Sequence, residues 1–315
     1  MVTFQSCDSD DDNTPMPSET TVVDVAVDAN FTVLADALTR ANLVTTLEEE
    51  GPFTVFAPTN QAFQDLLDSN NNWNSLDDIP LNTLTEVLLN HVIIGENIPA
   101  STLIGAGSGY ETTGASGPES TNLSLYFNVV NGVVQLNGGS STDAGANVIT
   151  PDQMADNGVV HVINKVLLPP TTADHAIANP ALSVLVDALV YADTQDGTDL
   201  VATLSQNSTF TTFAPTNDAF LALLSELGVS ALTDIDAETV EAVLLTHVIT
   251  NANVTSGELT TGMVATLGGN IMVDAGSLTI TDPRDREINI VPSLVDIQGS
   301  NGVVHVVDRV ILPAE

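Results

Sequence analysis

The sequence predicts an α+β fold in two tandem copies, with helices gathered in the first half of each copy and strands in the second. Three observations carry this. Three sequence blocks recur in the same order about 150 residues apart. The apolar period changes from helical to alternating within each copy. The chain has 315 residues, 43 % of them apolar, enough for two domains with cores of their own.

Phe31, Leu34, Ala35 and Leu38 stand at helical spacing, as do Leu182, Leu185, Val186 and Leu189. The second of these helices has Asn179 as its cap and Pro180 in its first turn. Phe53-Thr54-Val55-Phe56-Ala57 alternates as a strand and stops at Pro58. It returns as Phe210-Thr211-Thr212-Phe213-Ala214 before Pro215. Thr59 or Asn60 then caps a short helix whose Phe63, Leu66 and Leu67 face inward, repeated by Phe220, Leu223 and Leu224. A third helix places Leu84, Val87, Leu88 and His91 on one face, matched by Val240, Val243, Leu244 and His247. Valine-rich strands follow, with a hairpin at Val130-Asn131-Gly132-Val133. The last strand of each copy starts after an Asn-Gly turn, at Asn157-Gly158 and Asn301-Gly302. The boundary falls at Pro169-Pro170-Thr171-Thr172, dividing the chain into a leader of residues 1–20 and domains over 21–170 and 171–315.

The chain carries 41 acidic side chains against 5 basic ones, a net charge of −36. The charge is spread along the chain: 17 acids and two bases in residues 21–170, and 19 acids and three bases in residues 171–315. Such a surface repels phosphate backbones and anionic headgroups, which excludes nucleic acid and a polybasic membrane dock as partners. One cysteine forms neither an intrachain disulfide nor a thiolate metal cluster. No apolar run approaches the roughly 18–20 residues of a membrane-spanning helix.

Taken together, Thr-x-Phe-Ala-Pro-Thr-Asn-x-Ala-Phe, a helical His-Val-Ile, and Asn-Gly-Val-Val-His-Val running on to Leu-Pro resemble the signature segments of the fasciclin (FAS1) domain. All three occur twice, in order, from about residue 21 to the end. The resemblance implies a wedge-shaped antiparallel β-sandwich of about seven strands with a helical layer. It also implies an extracellular, adhesive and non-enzymatic role without cofactors. Residues 1–20 are a polar, acidic linker. The fragment before Cys7 resembles the tail of a bacterial lipoprotein signal peptide, which would make Cys7 the lipid attachment point of an outer-membrane protein, with Asp8–Asp12 as its acidic follow-on.

No nucleophile elbow, phosphate loop, dinucleotide-binding glycine pattern or His-Glu-x-x-His zinc motif occurs. Physically, His91, His247, His161 and His305 read as core histidines bonded to backbone. The resemblance adds a receptor-binding Tyr-His pair at the first two positions, where Asn90-His91 and Thr246-His247 stand here. His175 lacks a counterpart in the other copy and is expected to be solvated in the linker. Arg284 and Arg286 break the acidic pattern in Thr281–Glu287, either pairing locally with aspartate or offering a spot for a carboxylate or sulfate. The partners expected are matrix polysaccharide, a cell-surface protein or a solid surface, with a small ligand or calcium held on acidic loops as the alternative.

Overall fold

The structure, a computed structural model, describes residues 19–138, 145–194, 199–206 and 208–314. Cys7 and the acidic run after it lie outside the described residues. Two copies of one plan follow each other. The first begins with helices α1 (Val22–Asp28), α2 (Thr32–Arg40) and α3 (Val44–Leu47), then strand β1 (Phe53–Pro58), α4 (Asn60–Asp68) and α5 (Leu81–Leu89). It continues with β2 (Val92–Ile94), α6 (Ala100–Ala106), β3 (Ser108–Ser116), β4 (Asn122–Val130), β5 (Val133–Leu136), β6 (Ala146–Ala155) and β7 (Gly158–Ile163). The second copy runs α7 (Thr172–Ala178), a 3₁₀ turn at Pro180–Leu182, α8 (Ser183–Ala192), α9 (Leu200–Leu204), β8 (Phe210–Pro215), α10 (Asn217–Leu227) and α11 (Ala237–Leu245). Its strands are β9 (Val248–Thr250), β10 (Gly262–Thr266), β11 (Gly269–Asp274), β12 (Thr279–Thr281), β13 (Glu287–Asn289), β14 (Ile297–Gly299) and β15 (Gly302–Val307).

The first copy forms one sheet in the order β2-β1-β7-β6-β5-β4-β3. The second splits the same order into β14-β15-β8-β9 and β10-β11-β12-β13. The sheets are largely antiparallel, as the sequence leads one to expect, with one parallel pair in each copy: β1 runs parallel to β7, and β8 parallel to β15. The chain lays down β1 early and returns to it only after the whole unit, which is a crossover connection. These four strands are buried along their length, so they read as apolar runs and carry no directional signal. The last strand of the first copy ends at Ile163, six residues before Pro169.

Each copy has two cores. One lies between helices and sheet, around Leu34, Leu38, Phe63 and Leu88 in the first copy and Leu185, Leu189, Phe220 and Leu244 in the second. The other lies among the strands, around Phe56, Leu125 and Phe127, and around Phe213, Ile271 and Ile288. At about 25 cal/mol per Å² of apolar surface, burial of such side chains is the main term holding each unit together.

The repeated motifs explain themselves locally. Thr59 and Thr216 are the N-caps of α4 and α10, accepting from the amides of Ala62 and Ala219 at 3.2 Å. The next residue reaches back to the start of the helical layer. Asn60 Oδ1 accepts from Val33 N at 3.1 Å, and Asn217 Oδ1 from Val184 N at 2.9 Å. Asn157 and Asn301 close the unit, each amide side chain accepting from the first helix (Val22 N and Thr172 N, 2.8 Å). Their Nδ2 groups donate to the loop before the parallel strand. The following glycine is obligatory: a Cβ on Gly302 would lie 2.0 Å from Phe210 O, and on Gly158 2.2 Å from Phe53 O. Asn131 and Gly132 both have positive φ, as a two-residue hairpin requires.

The copies touch through one face of each. On β3–β4 the outward pair Tyr110–Tyr126, rings 4.9 Å apart, packs toward the second copy. The Tyr110 hydroxyl accepts from Asn179 Nδ2 at 3.1 Å, and its ring meets the His175 ring at 5.8 Å. Ser124 Oγ accepts from Gln298 N at 3.0 Å. A Cβ on Gly117 would lie 2.8 Å from Gly299 O, so backbones approach closely here. This corrects the expectation for His175. It is fully buried in α7, donating from Nε2 to Gln298 O at 3.0 Å, because α7 is covered by the first copy.

Candidate functional site

The histidines at the helix ends are built as clamps. α5 stops at Asn90, and His91 folds back so that Nδ1 lies 2.7 Å from Val87 O. A carbonyl only accepts, so Nδ1 carries the proton. Nε2 is then bare and accepts from Leu167 N at 2.8 Å. The second copy repeats this: His247 Nδ1 to Val243 O at 2.8 Å, and Ile311 N to His247 Nε2 at 2.9 Å. Beside them Asn90 Nδ2 donates to Leu168 O at 3.1 Å, and Thr246 Oγ1 donates to Ile311 O at 3.0 Å. Asn90, His91, Thr246 and His247 are all buried, and their polar atoms tie the helix end to the segment after the last strand. Burial pushes both imidazoles down to about 4, against the smaller opposing effect of the backbone bonds.

His161 and His305 use the opposite tautomer. Nε2 donates to Ile98 O at 2.9 Å and to Val254 O at 2.8 Å, while Nδ1 accepts from the amides of Asp152 and Asp296 at 3.2 and 3.3 Å. Burial lowers both pKa values. Thr54 and Thr211, unremarked in the sequence, clamp the same connections, donating to Glu96 O and Ala252 O and accepting from Ile98 N and Val254 N.

Arg286 is similarly engaged. Its Nε lies 2.9 Å from Asp282 Oδ2, Nη1 lies 3.2 Å from Glu226 Oε2, and Nη2 donates to Val310 O. Burial raises the Asp282 carboxyl, but amides of Arg286 and Leu312 and the guanidinium outweigh it and hold it below the usual range. Arg284 is more exposed, with Nε donating to Pro313 O at 3.0 Å.

The open feature with the chemistry of a binding site lies elsewhere, beside the edge strand β3. A groove of about 360 Å³ is lined by residues that include Ile94, Glu96, Tyr110, Glu111, Thr112 and Asn122. Ile94 and Thr112 are exposed and Glu111 is half-buried. Burial, and then the charge of Glu96, raise the Glu111 pKa. Sequence reasoning misses this group because the segment after β2 and strand β3 meet only in the fold; their residues share no motif. Among the described residues no three His, Cys, Asp or Glu side chains converge as a metal-ligand set.

Comparisons with known proteins agree with this architecture. The chain is 31 % identical to human periostin over 280 residues, 85 % of this chain, and spans only 29 % of periostin's length. It is 37 % identical over 143 residues to protein sll1483 of Synechocystis, 45 % of this chain and 73 % of that protein. A solved FAS1 domain pair from the insect cell adhesion molecule fasciclin I shares the fold, with a TM-score of 0.50 at 20 % identity over 92 % of this chain and 95 % of that one. The Fasciclin domain model matches twice, over residues 29–169 and 183–313, and the chain therefore belongs to the fasciclin domain family as a tandem pair.

Proposed function

We propose that the chain, built of units 21–170 and 171–315, is a non-enzymatic adhesion protein of the cell exterior that attaches to extracellular polysaccharide through the β3-edge groove. The observation that carries the reading is the composition of that groove: two carboxylates, the exposed Thr112 hydroxyl and the Asn122 amide beside exposed Ile94. Carboxylates accept bonds from sugar hydroxyls or ammonium groups, the Thr112 hydroxyl and the amide serve either polarity, and Ile94 offers an apolar patch for the C–H face of a ring. The family places adhesion in reach: a structural neighbour is named as a cell adhesion molecule. A chain of net charge −36 repels sulfated and uronic polymers, so the polymer is neutral or amino-substituted. Lipid attachment at Cys7 belongs to the same reading, and the intact mass of the chain extracted from membranes checks it.

The test is binding of the full chain to an immobilised amino-glucan, a neutral glucan and a sulfated glycan, with cell-surface protein extracts as a further arm. The reading expects saturable binding to the first two and a loss of at least about tenfold in Glu96→Gln/Glu111→Gln. Preference for the sulfated glycan, or no loss in the double variant, overturns it. A calcium-dependent rise in melting temperature without glycan binding would favour the cation-binding alternative.

A further inference from the structure

The contact between the copies pairs two faces, and each has a counterpart in the other copy. On β3–β4 the inward pair Gly109↔Phe127 is followed by the outward pair Tyr110↔Tyr126. On β10–β11 the inward pair Gly262↔Val273 is followed by the outward pair Met263↔Met272. The two methionines therefore occupy in the second copy the places of the docking tyrosines. They are 70 % and 45 % exposed.

The receiving face is α7 with β14. Thr171 and Thr21 make the same capping box three residues before Asp174 and Asp24, which aligns His175 with Val25 and Asn179 with Ala29. The registers Gln298↔Val303 and Met154↔Val159 align Gln298 with Met154. His175, Asn179 and Gln298 are buried by the first copy; Val25 is half-exposed, Ala29 exposed, and Met154 58 % exposed.

We propose that the β10–β11 face of one chain docks on the α1–β6 face of a second copy, repeating between molecules the contact made within each. The occupant is argued from continuity with the intrachain interface: both free faces are the repeat equivalents of surfaces that already pair, and both carry methionine, which adapts to irregular contacts. Because the faces differ, the association is heterologous and extends head to tail. Asp274 and Asp28 lie on the two faces, at the places of Asn128 and Ala178, and with the net charge they oppose contact at low salt.

The test is sedimentation velocity of the full chain across concentration, at about 0.05 and about 1 M salt. The proposal expects association that rises with both. Met263→Glu and Met154→Glu, at exposed positions, should each weaken self-association at least about tenfold with unchanged melting temperature. Mixing the two variants should restore complexes that stop at two chains, since each retains one intact face. A monomer under all conditions overturns the proposal. So does a Met154→Glu variant that self-associates like the wild type, or a mixture that restores nothing.

Discussion

Acidification from pH 7 to 5 in about 1 M salt should destabilise the protein steeply through its buried histidines, the salt suppressing the change in surface repulsion. His91, His175 and His247 have folded pKa values of about 4, against 6.5 for the free side chain. The folded value lies below the unfolded one, so between 6.5 and 4 the unfolded chain binds more protons and stability falls as pH falls. Above 6.5 the three groups contribute no slope, and below 4 the loss is complete. At pH 5 each costs about 2 kcal/mol, and the three together roughly 6, a large share of a usual 5–15 kcal/mol stability. The first cause is burial, which disfavours the charged ring at all three positions; at His91 and His247 protonation would also set Nε2–H against the amide N–H it accepts. The assay is urea unfolding at half-unit pH intervals, followed by circular dichroism. Stability that is flat or rises between pH 6.5 and 5 would refute the reasoning.

Three substitutions extend the account. His247→Leu leaves the buried amide of Ile311 without its acceptor and should cost about 1–3 kcal/mol in urea, and His91→Leu, which strips the amide of Leu167 in the same way, a similar amount. Gly302→Ala places a Cβ 2.0 Å from Phe210 O at a φ of +146° and should cost at least about 3 kcal/mol, read as a lowered melting temperature or loss of folded protein. Thr212→Val removes a buried hydroxyl that has no partner, at a position where the first copy has Val55, and should raise stability by about 1 kcal/mol in the same titration.

The sequence makes the two-copy plan legible because the signature residues repeat. Thr59 and the Asn131-Gly132 turn act on their own neighbours, while Asn60 and Asn157 reach Val33 N and Val22 N far along the chain and are legible only because they recur. The parallel pairing of β1 with β7 is hidden because a strand buried on both faces shows no alternation. His175 misleads for a related reason: its burial comes from the other copy, and nothing on its own helix announces a neighbour that docks from outside. The groove is illegible because Glu96, in the loop after β2, and Glu111, on β3, come together only in the fold. The repeated histidines draw the eye in the sequence, yet their ring nitrogens are occupied by backbone.

The measurement that bears most directly on this division of labour takes stability and glycan affinity on the same preparations of three proteins. These are the wild type, the His91→Leu/His247→Leu variant at a temperature where it remains folded, and the Glu96→Gln/Glu111→Gln variant. The account predicts that the histidine variant loses stability and keeps its affinity for the amino-glucan, while the groove variant keeps its stability and loses affinity. The reverse pattern, with binding lost on removal of the histidines from a folded and equally stable chain, would contradict it.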